Sequence, residues 1–284
     1  MSGLKLILTA LALLNITLSN YAVSEDIPNP VKTAIYTTNT KPEAGEVIQV
    51  GVQFRLDPDW HIYWKNPGDS GLPTRVNYTV PKGFELKETY YPLPKTFLRE
   101  GNILDYGYED ELLLISDIKV PDDYDKRSFK ISSEATWVVC REVCIPGSEN
   151  LDMEFPIKDK RYAADRSLFD RWVLQNPKKV ADDMLPFKYS VKKEFGDNEK
   201  VKYVDITLNW KYEVYDIEIF PDVDKSVYMK DIKLANGKNI SSYSFSPVIF
   251  NKDRKDLDDL DIVVSYKDGD GNRVGIETTL NLDI

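Results

Sequence analysis

The sequence predicts an all-β chain of two antiparallel β-sandwiches joined by a short helix, and three observations carry that prediction. Apolar residues recur at a period close to two in many short stretches. Clusters of Gly, Pro, Asn and Asp break those stretches about every 8–12 residues, the spacing of a sandwich or barrel. One stretch alone, just past the middle, carries helical spacing, and β-like patterning resumes beyond it.

The chain has 284 residues, a length that suggests two domains. Its hydrophobic content of 42%, with 17 Tyr, 11 Phe and 5 Trp, is enough to build packed cores. A net charge of -10 argues against nucleic acid or an anionic membrane as the main partner, since both repel an acidic surface. The first residues read as an export signal: Lys5 supplies the positive end, residues 6–14 are apolar, and Ala22-Val-Ser24 offers small residues for cleavage after Ser24. Residues 1–24 are therefore expected to be a cleaved signal peptide. The apolar run is too short for a membrane span and is followed by Asn15 and Asn20. The mature protein is expected outside the cytoplasm, where disulfides persist.

The elements follow in order. Residues 46–56 alternate, with Val47, Val50, Val52 and Phe54 among polar neighbours. Residues 57–73 are dense in turn signals, Asn66-Pro-Gly-Asp and Ser70-Gly-Leu-Pro. Strands are predicted over 74–80, 112–120 and 129–139, with 90–94 an extended aromatic-proline segment and no helix between 30 and 155. These residues form a first domain, 25–160. Residues 163–175 then place Leu168, Phe169, Trp172 and Val173 on one helical face, closed by Asn176-Pro177, within a linker of 161–182. Strands are predicted again over 187–195, 201–210, 212–220, 230–234, 243–250, 260–266 and 275–282. Asn236-Gly237 and Asp268-Gly-Asp-Gly-Asn272 mark tight hairpins. The second domain, 183–284, has the size of an immunoglobulin-like module.

Most site chemistries fail on inventory. A structural zinc site needs four Cys or His ligands, and the chain holds two Cys and the single His61, so no metal and no cofactor is expected. Asp268-Gly-Asp-Gly-Asn272 begins like a calcium loop. It then has Arg273 where such a loop needs Gly and Thr279 where it needs Glu, so a hairpin turn is the better reading. No phosphate loop or dinucleotide fingerprint is present.

What remains is Cys140 and Cys144, with three residues between them at the end of a β-like run. A bridge closing so short a loop stabilises by about 2 kcal/mol, well below a long-loop disulfide. Such a bridge is also readily strained, which makes it more reducible. Arg141 would favour a thiolate and Glu142 would oppose it, so neighbours do not decide reactivity. On spacing alone, a redox dithiol and a structural clip both stay open.

Four ordered stretches then converge: Trp60-His-Ile-Tyr-Trp-Lys-Asn-Pro-Gly-Asp-Ser-Gly-Leu-Pro73, Tyr91-Pro-Leu-Pro94, Asp105-Tyr-Gly-Tyr108 and Trp137-Val-Val-Cys-Arg-Glu-Val-Cys-Ile-Pro146. Together they resemble the N-terminal periplasmic domain of the thiol:disulfide interchange protein DsbD, closest to its suppressor-of-copper-sensitivity branch, the ScsB type. The resemblance covers about residues 30–157 and, weakly, the second β-domain. It implies an immunoglobulin-like domain, hence two immunoglobulin-like antiparallel β-sandwich domains joined by a short helix. It also implies that Cys140 and Cys144 are the redox cysteines of a protein-disulfide oxidoreductase. A membrane-embedded thiol reductase encoded elsewhere would reduce the pair, which would then reduce a disulfide-bearing acceptor protein in the periplasm of a Gram-negative bacterium. In DsbD a short cap loop shields the pair with an aromatic ring. Here Asp105 stands where that aromatic precedes the Tyr-Gly pair, which leaves Tyr106 or Tyr108 as cap candidates. Neither a membrane relay nor a thioredoxin domain follows Ile284, so the expectation is a free-standing module or a piece of a longer chain.

Two other readings stay open at this level. The chain could be a non-catalytic secreted immunoglobulin-like binding module, with Trp60, Tyr63 and Trp64 as its recognition surface and a structural disulfide. It could also keep metal-ligand thiols reduced during cytochrome c or copper-protein maturation.

Overall fold

The computed structural model describes residues 29–283 apart from 102, 164–165, 197–198, 224–225 and 251–255. The expected signal over 1–24 lies outside the described residues. Ten strands build the first unit: β1 (Val31–Thr37), β2 (Val47–Leu56), β3 (His61–Gly68), β4 (Arg75–Thr79), β5 (Glu85–Tyr90), β6 (Lys95–Arg99), β7 (Ile103–Glu109), β8 (Glu111–Lys119), β9 (Phe129–Cys140) and β10 (Cys144–Phe155). One sheet runs β1-β2-β8-β5 and the other β10-β9-β3-β7-β6, with β4 also paired to β9. All these pairings are antiparallel. The two sheets face each other across an apolar core, as an immunoglobulin-like sandwich does.

Alternation decides which residues fill that core. Ile131, Ala135, Trp137 and Val139 of β9 point inward, and Phe54 of β2 meets the Trp137 ring edge-on at 5.7 Å. Side chains of the size of Ile131, Val139 and Phe54 each contribute roughly 1.5–3 kcal/mol through the apolar surface they remove from water. The residues between them, Lys130, Glu134 and Val138 among others, face the other way. That second face of β9 is where Cys140 belongs.

Beyond the first unit, α1 (Arg166–Val173) carries Phe169 and Trp172 into the first core, with the Phe169 ring close over Gly51 of β2. The stripe that packs is Phe169 and Trp172, buried, with Leu168 half-buried beside them. Val173, expected on the same face, is 43% exposed because its position falls at the flank of that stripe. The helix ends at Val173 rather than 175: the N–H groups of Gln175 and Asn176 reach back only three residues, to Trp172 and Val173 carbonyls, in the tightened turn before Pro177. The helix is thus packed on the first sandwich and is not a free spacer.

The second unit holds β11 (Lys178–Lys179), β12 (Phe187–Phe195), β13 (Val201–Trp210), β14 (Tyr215–Pro221), β15 (Val227–Asn236), β16 (Ile240–Ile249), β17 (Asp259–Lys267) and β18 (Arg273–Asn281). Its sheets run β11-β18-β17-β14 and β12-β13-β16-β15 around a core that includes Ile206, Leu208, Phe245, Ile262 and Val264. Among the described strand pairings of this unit, only the short β11–β18 pairing is parallel. Asp268 closes the β17–β18 turn by accepting the N–H groups of Asp270 and Asn272, with Gly271 at φ +82°. The run that begins like a calcium loop is a hairpin.

The two units share a packed seam. Phe220 and Val263 of the second unit belong to the apolar core of the first, and Phe220 meets the rings of Trp64 at 5.9 Å and Tyr106 at 5.3 Å. Lys65 Nζ lies 2.5 Å from Asp222 and 3.0 Å from Glu277, and Arg273 donates to the Pro94 carbonyl at 2.9 Å. Among the described residues no helix is long and apolar enough to cross a membrane.

Candidate functional site

Cys140 and Cys144 form a disulfide across the end of the β9–β10 hairpin, directly opposite one another in the ladder with Cα atoms 4.1 Å apart. The Arg141 N–H donates to the Val143 carbonyl at 3.1 Å and tightens the loop between them. The two cysteines lie only four residues apart in sequence, so the bridge removes little entropy from the unfolded chain. The two sulfurs also have unlike surroundings: Cys140 is 0% exposed, whereas Cys144 is exposed. The Arg141 guanidinium is committed elsewhere, 5.0 Å over the Trp60 ring.

Cys140 is buried on the face of its sheet that points away from the core, and a second layer of side chains covers it there. β3 pairs with β9 so that His61 opposes Cys140, which puts His61 and Tyr63 on the cysteine's face and Ile62 and Trp64 on the core face. The Tyr63 hydroxyl donates to Cys140 Sγ at 3.0 Å. Gly71 lies flat on the Tyr63 ring; a Cβ there would stand 2.2 Å from a ring carbon, and its φ of +73° also suits glycine.

β7 supplies the next layer by the same alternation. Tyr106 and Tyr108, the cap candidates, project to the core face. Tyr106 packs 6.4 Å from the Trp64 ring, and the Tyr108 hydroxyl donates to the Pro92 carbonyl at 2.8 Å. The side chain that β7 turns toward the disulfide's face is Asp105, which is 0% exposed. Its carboxylate accepts from the Ser70 N–H at 2.9 Å, the Ser70 hydroxyl at 2.9 Å and the Arg99 guanidinium. Arg99 Nη2 also donates to the Tyr63 hydroxyl at 3.4 Å and to Ser70 Oγ. A polar network thus runs from the buried Asp105 carboxylate, through the half-buried Arg99, to the sulfur of Cys140. Sequence reasoning offered Tyr63 only as a recognition-surface residue and Ser70 only as part of a turn, and it did not mark Arg99. The only signal was the shared parity of His61 and Tyr63, which needs the strand register to become informative.

The aromatic stretch offered as a recognition surface is interior instead: Trp60 is 6%, Tyr63 0% and Trp64 1% exposed. β3 is covered on both faces, by the sandwich core over Ile62 and Trp64 and by Gly71 and its loop over Tyr63.

His61 stacks on Phe97 at 4.8 Å and meets Tyr63 edge-on at 5.3 Å, with Nε2 buried and unpartnered. Burial lowers its pKa, Arg99 adds to that effect, and Asp105 and Glu109 oppose it. As pH falls below the usual histidine value of about 6.5, the unfolded chain takes up the proton before the folded one. The stability contribution is complete above that value and is lost as pH falls toward the depressed folded pKa. The urea midpoint of the wild type is therefore expected to fall between about pH 7 and 5.5 more steeply than that of His61→Gln. Equal slopes would show that another group carries the dependence.

Residues 29–156 match the family described as the N-terminal part of the thiol:disulfide interchange protein DsbD. Among solved structures, the N-terminal periplasmic domain of ScsB from Proteus mirabilis aligns over 89% of this chain and 94% of that one. Its TM-score is 0.64 at 16% identity, a likeness of fold that spans both sandwiches. The collagen adhesin CNA of S. aureus aligns over 88% of this chain and 92% of that one at 10% identity, with a TM-score of 0.21, too low to imply a common fold. No curated protein matches the chain. The sandwich that carries both cysteines belongs to the family of DsbD N-terminal domains.

Proposed function

We propose that the protein is a periplasmic thiol–disulfide exchange module in which Cys140 and Cys144 cycle between dithiol and disulfide. The observation that carries this reading is the asymmetry of the bridge: one sulfur is exposed at a hairpin tip, and the other is buried under a hydrogen-bond donor. In the reduced protein the Cys144 thiolate attacks an acceptor disulfide, forming a mixed disulfide and expelling one acceptor thiolate. Cys140 then attacks Cys144 Sγ, restoring the Cys140–Cys144 bond and releasing the second acceptor thiolate. Two electrons and two protons pass to the acceptor. The Tyr63 hydroxyl, with Arg99 behind it, favours the thiolate form of Cys140 for that second step.

The reductant in this reading is the dithiol of a membrane-embedded reductase on another chain, and the acceptor is a periplasmic protein with an accessible disulfide. The domain boundaries that go with it are the signal over 1–24, the redox domain over 25–160, the linker over 161–182 and the second domain over 183–284. Thiol trapping across a glutathione gradient tests the central point. The pair is expected to open to the dithiol at a potential above about −300 mV, the region below which structural disulfides lie. A bridge that stays oxidised under strongly reducing glutathione would sink the reading and leave a structural clip.

A further inference from the structure

The loop that covers Tyr63 is held from outside its own sandwich. Asn66 Nδ2 donates to the Pro221 carbonyl of the second unit at 2.6 Å. Three residues on, Asp69 Oδ1 accepts the Tyr228 hydroxyl of β15 at 2.9 Å. Asp69 also ties the loop to β7, its N–H donating to the Leu104 carbonyl and its Oδ2 accepting the Leu104 N–H, both at 2.8 Å. The next residue is Ser70, which binds Asp105 through both N–H and hydroxyl. The path Tyr228, Asp69, Ser70, Asp105, Arg99, Tyr63, Cys140 is thus contiguous from the second sandwich to the buried sulfur.

Strand alternation makes the placement of Tyr228 informative. Val227 and Met229 fill the second core at 6% and 4% exposure, so Tyr228 faces out of its own sandwich, onto the first. Burial and the Asp69 carboxylate raise its phenol pKa above the usual range, so the hydroxyl keeps the proton it donates.

We propose that the second sandwich is a positioning element for the redox pair, with Tyr228 as the residue that fixes the Asp69–Ser70 loop and through it the Tyr63 donor on Cys140. This rests on the exchange reading above. In reduced protein the Tyr63 hydroxyl, backed by Arg99, stabilises the Cys140 thiolate, and a loosened loop weakens that stabilisation.

The test uses the full chain, with glutathione as the redox probe. Tyr228→Phe removes only the hydroxyl. Its equilibrium constant for reduction is expected to fall about tenfold, ~30 mV for a two-electron couple, and its thiol alkylation profile should move to higher pH. Asp69→Asn probes the same contact from the other side, and the double variant should match the single ones rather than add to them. Tyr215→Phe, an exposed tyrosine of the same unit, serves as control. Potentials and alkylation profiles of Tyr228→Phe and Asp69→Asn within twofold of wild type would overturn the positioning role while leaving the exchange reading intact. Additive effects of the two would also overturn it. A wild-type pair that glutathione cannot reduce would overturn both.

Discussion

Replacing Arg99 with alanine is expected to destabilise the fold by about 3–5 kcal/mol, the cost of leaving a buried carboxylate without its cation. Asp105 is 0% exposed, and its partner guanidinium is 31% exposed. Folding has therefore removed the acid from water altogether and left the Arg99 side chain part-covered. Ser70 supplies two further bonds, but both are from neutral donors and cannot replace a charge. A comparison on the adjoining strand face isolates the effect. Lys95 pairs with Glu109, with side chains 54% and 42% exposed, and such a surface pair is worth about 0–1 kcal/mol. Urea unfolding should thus give a large loss of midpoint for Arg99→Ala and almost none for Lys95→Ala. The double replacement Arg99→Met with Asp105→Leu should recover most of the loss, because it removes the charge along with its partner. Similar losses for Arg99→Ala and Lys95→Ala would show that Asp105 is not held as a buried ion.

The same pair marks the limit of what could be read from residues alone. Strands of the second sandwich were legible because one face is wet and the other dry: Val204, Ile206, Leu208 and Trp210 of β13 are buried, and Asp205, Thr207 and Asn209 between them are not. β3 was not, because it lies mid-sheet and is covered on both faces. His61-Ile-Tyr-Trp64 presents no period, and Asn66-Pro-Gly then reads as a turn although the ladder runs to Gly68. β7 and β10 were missed for a related reason, since Gly107 and Pro146-Gly147 look like punctuation. The cysteine pair could be found from spacing and from the resemblance. The residues that surround it could not, because Tyr63, Ser70, Arg99 and Asp105 come from two strands, a loop and a third strand. Only the sheet register brings them together. Parity also explains Tyr106 and Tyr108: a cap search by proximity in sequence reaches them, but the alternation of β7 sends them into the core and leaves Asp105 on the sulfur's side.

Single-cysteine variants should separate the two sulfurs by the largest margin of any experiment on the reduced site. In Cys140→Ser the remaining thiol is Cys144, exposed beside Val143, itself 62% exposed at the hairpin tip. In Cys144→Ser the remaining thiol is Cys140, 0% exposed under Tyr63 and the loop that carries Gly71. Exchange needs the attacking sulfur to line up with the disulfide it cleaves, so access governs rate before thiolate fraction does. Reaction with oxidised glutathione at neutral pH is expected to be at least about 100-fold faster for Cys140→Ser, and mixed disulfides should accumulate on that variant alone. The Tyr63 and Arg99 donors sharpen the contrast from the other side. They make the Cys140 thiolate more populated for resolution, and a stabilised thiolate is also the better leaving group when a reductant attacks Cys144. Adding urea to the unfolding range should bring the two rates together, since the difference lies in the fold and not in the thiols. Equal rates in the folded state would mean that the cover over Cys140 opens faster than exchange occurs, and the assignment of Cys144 as the attacking sulfur would fall with it.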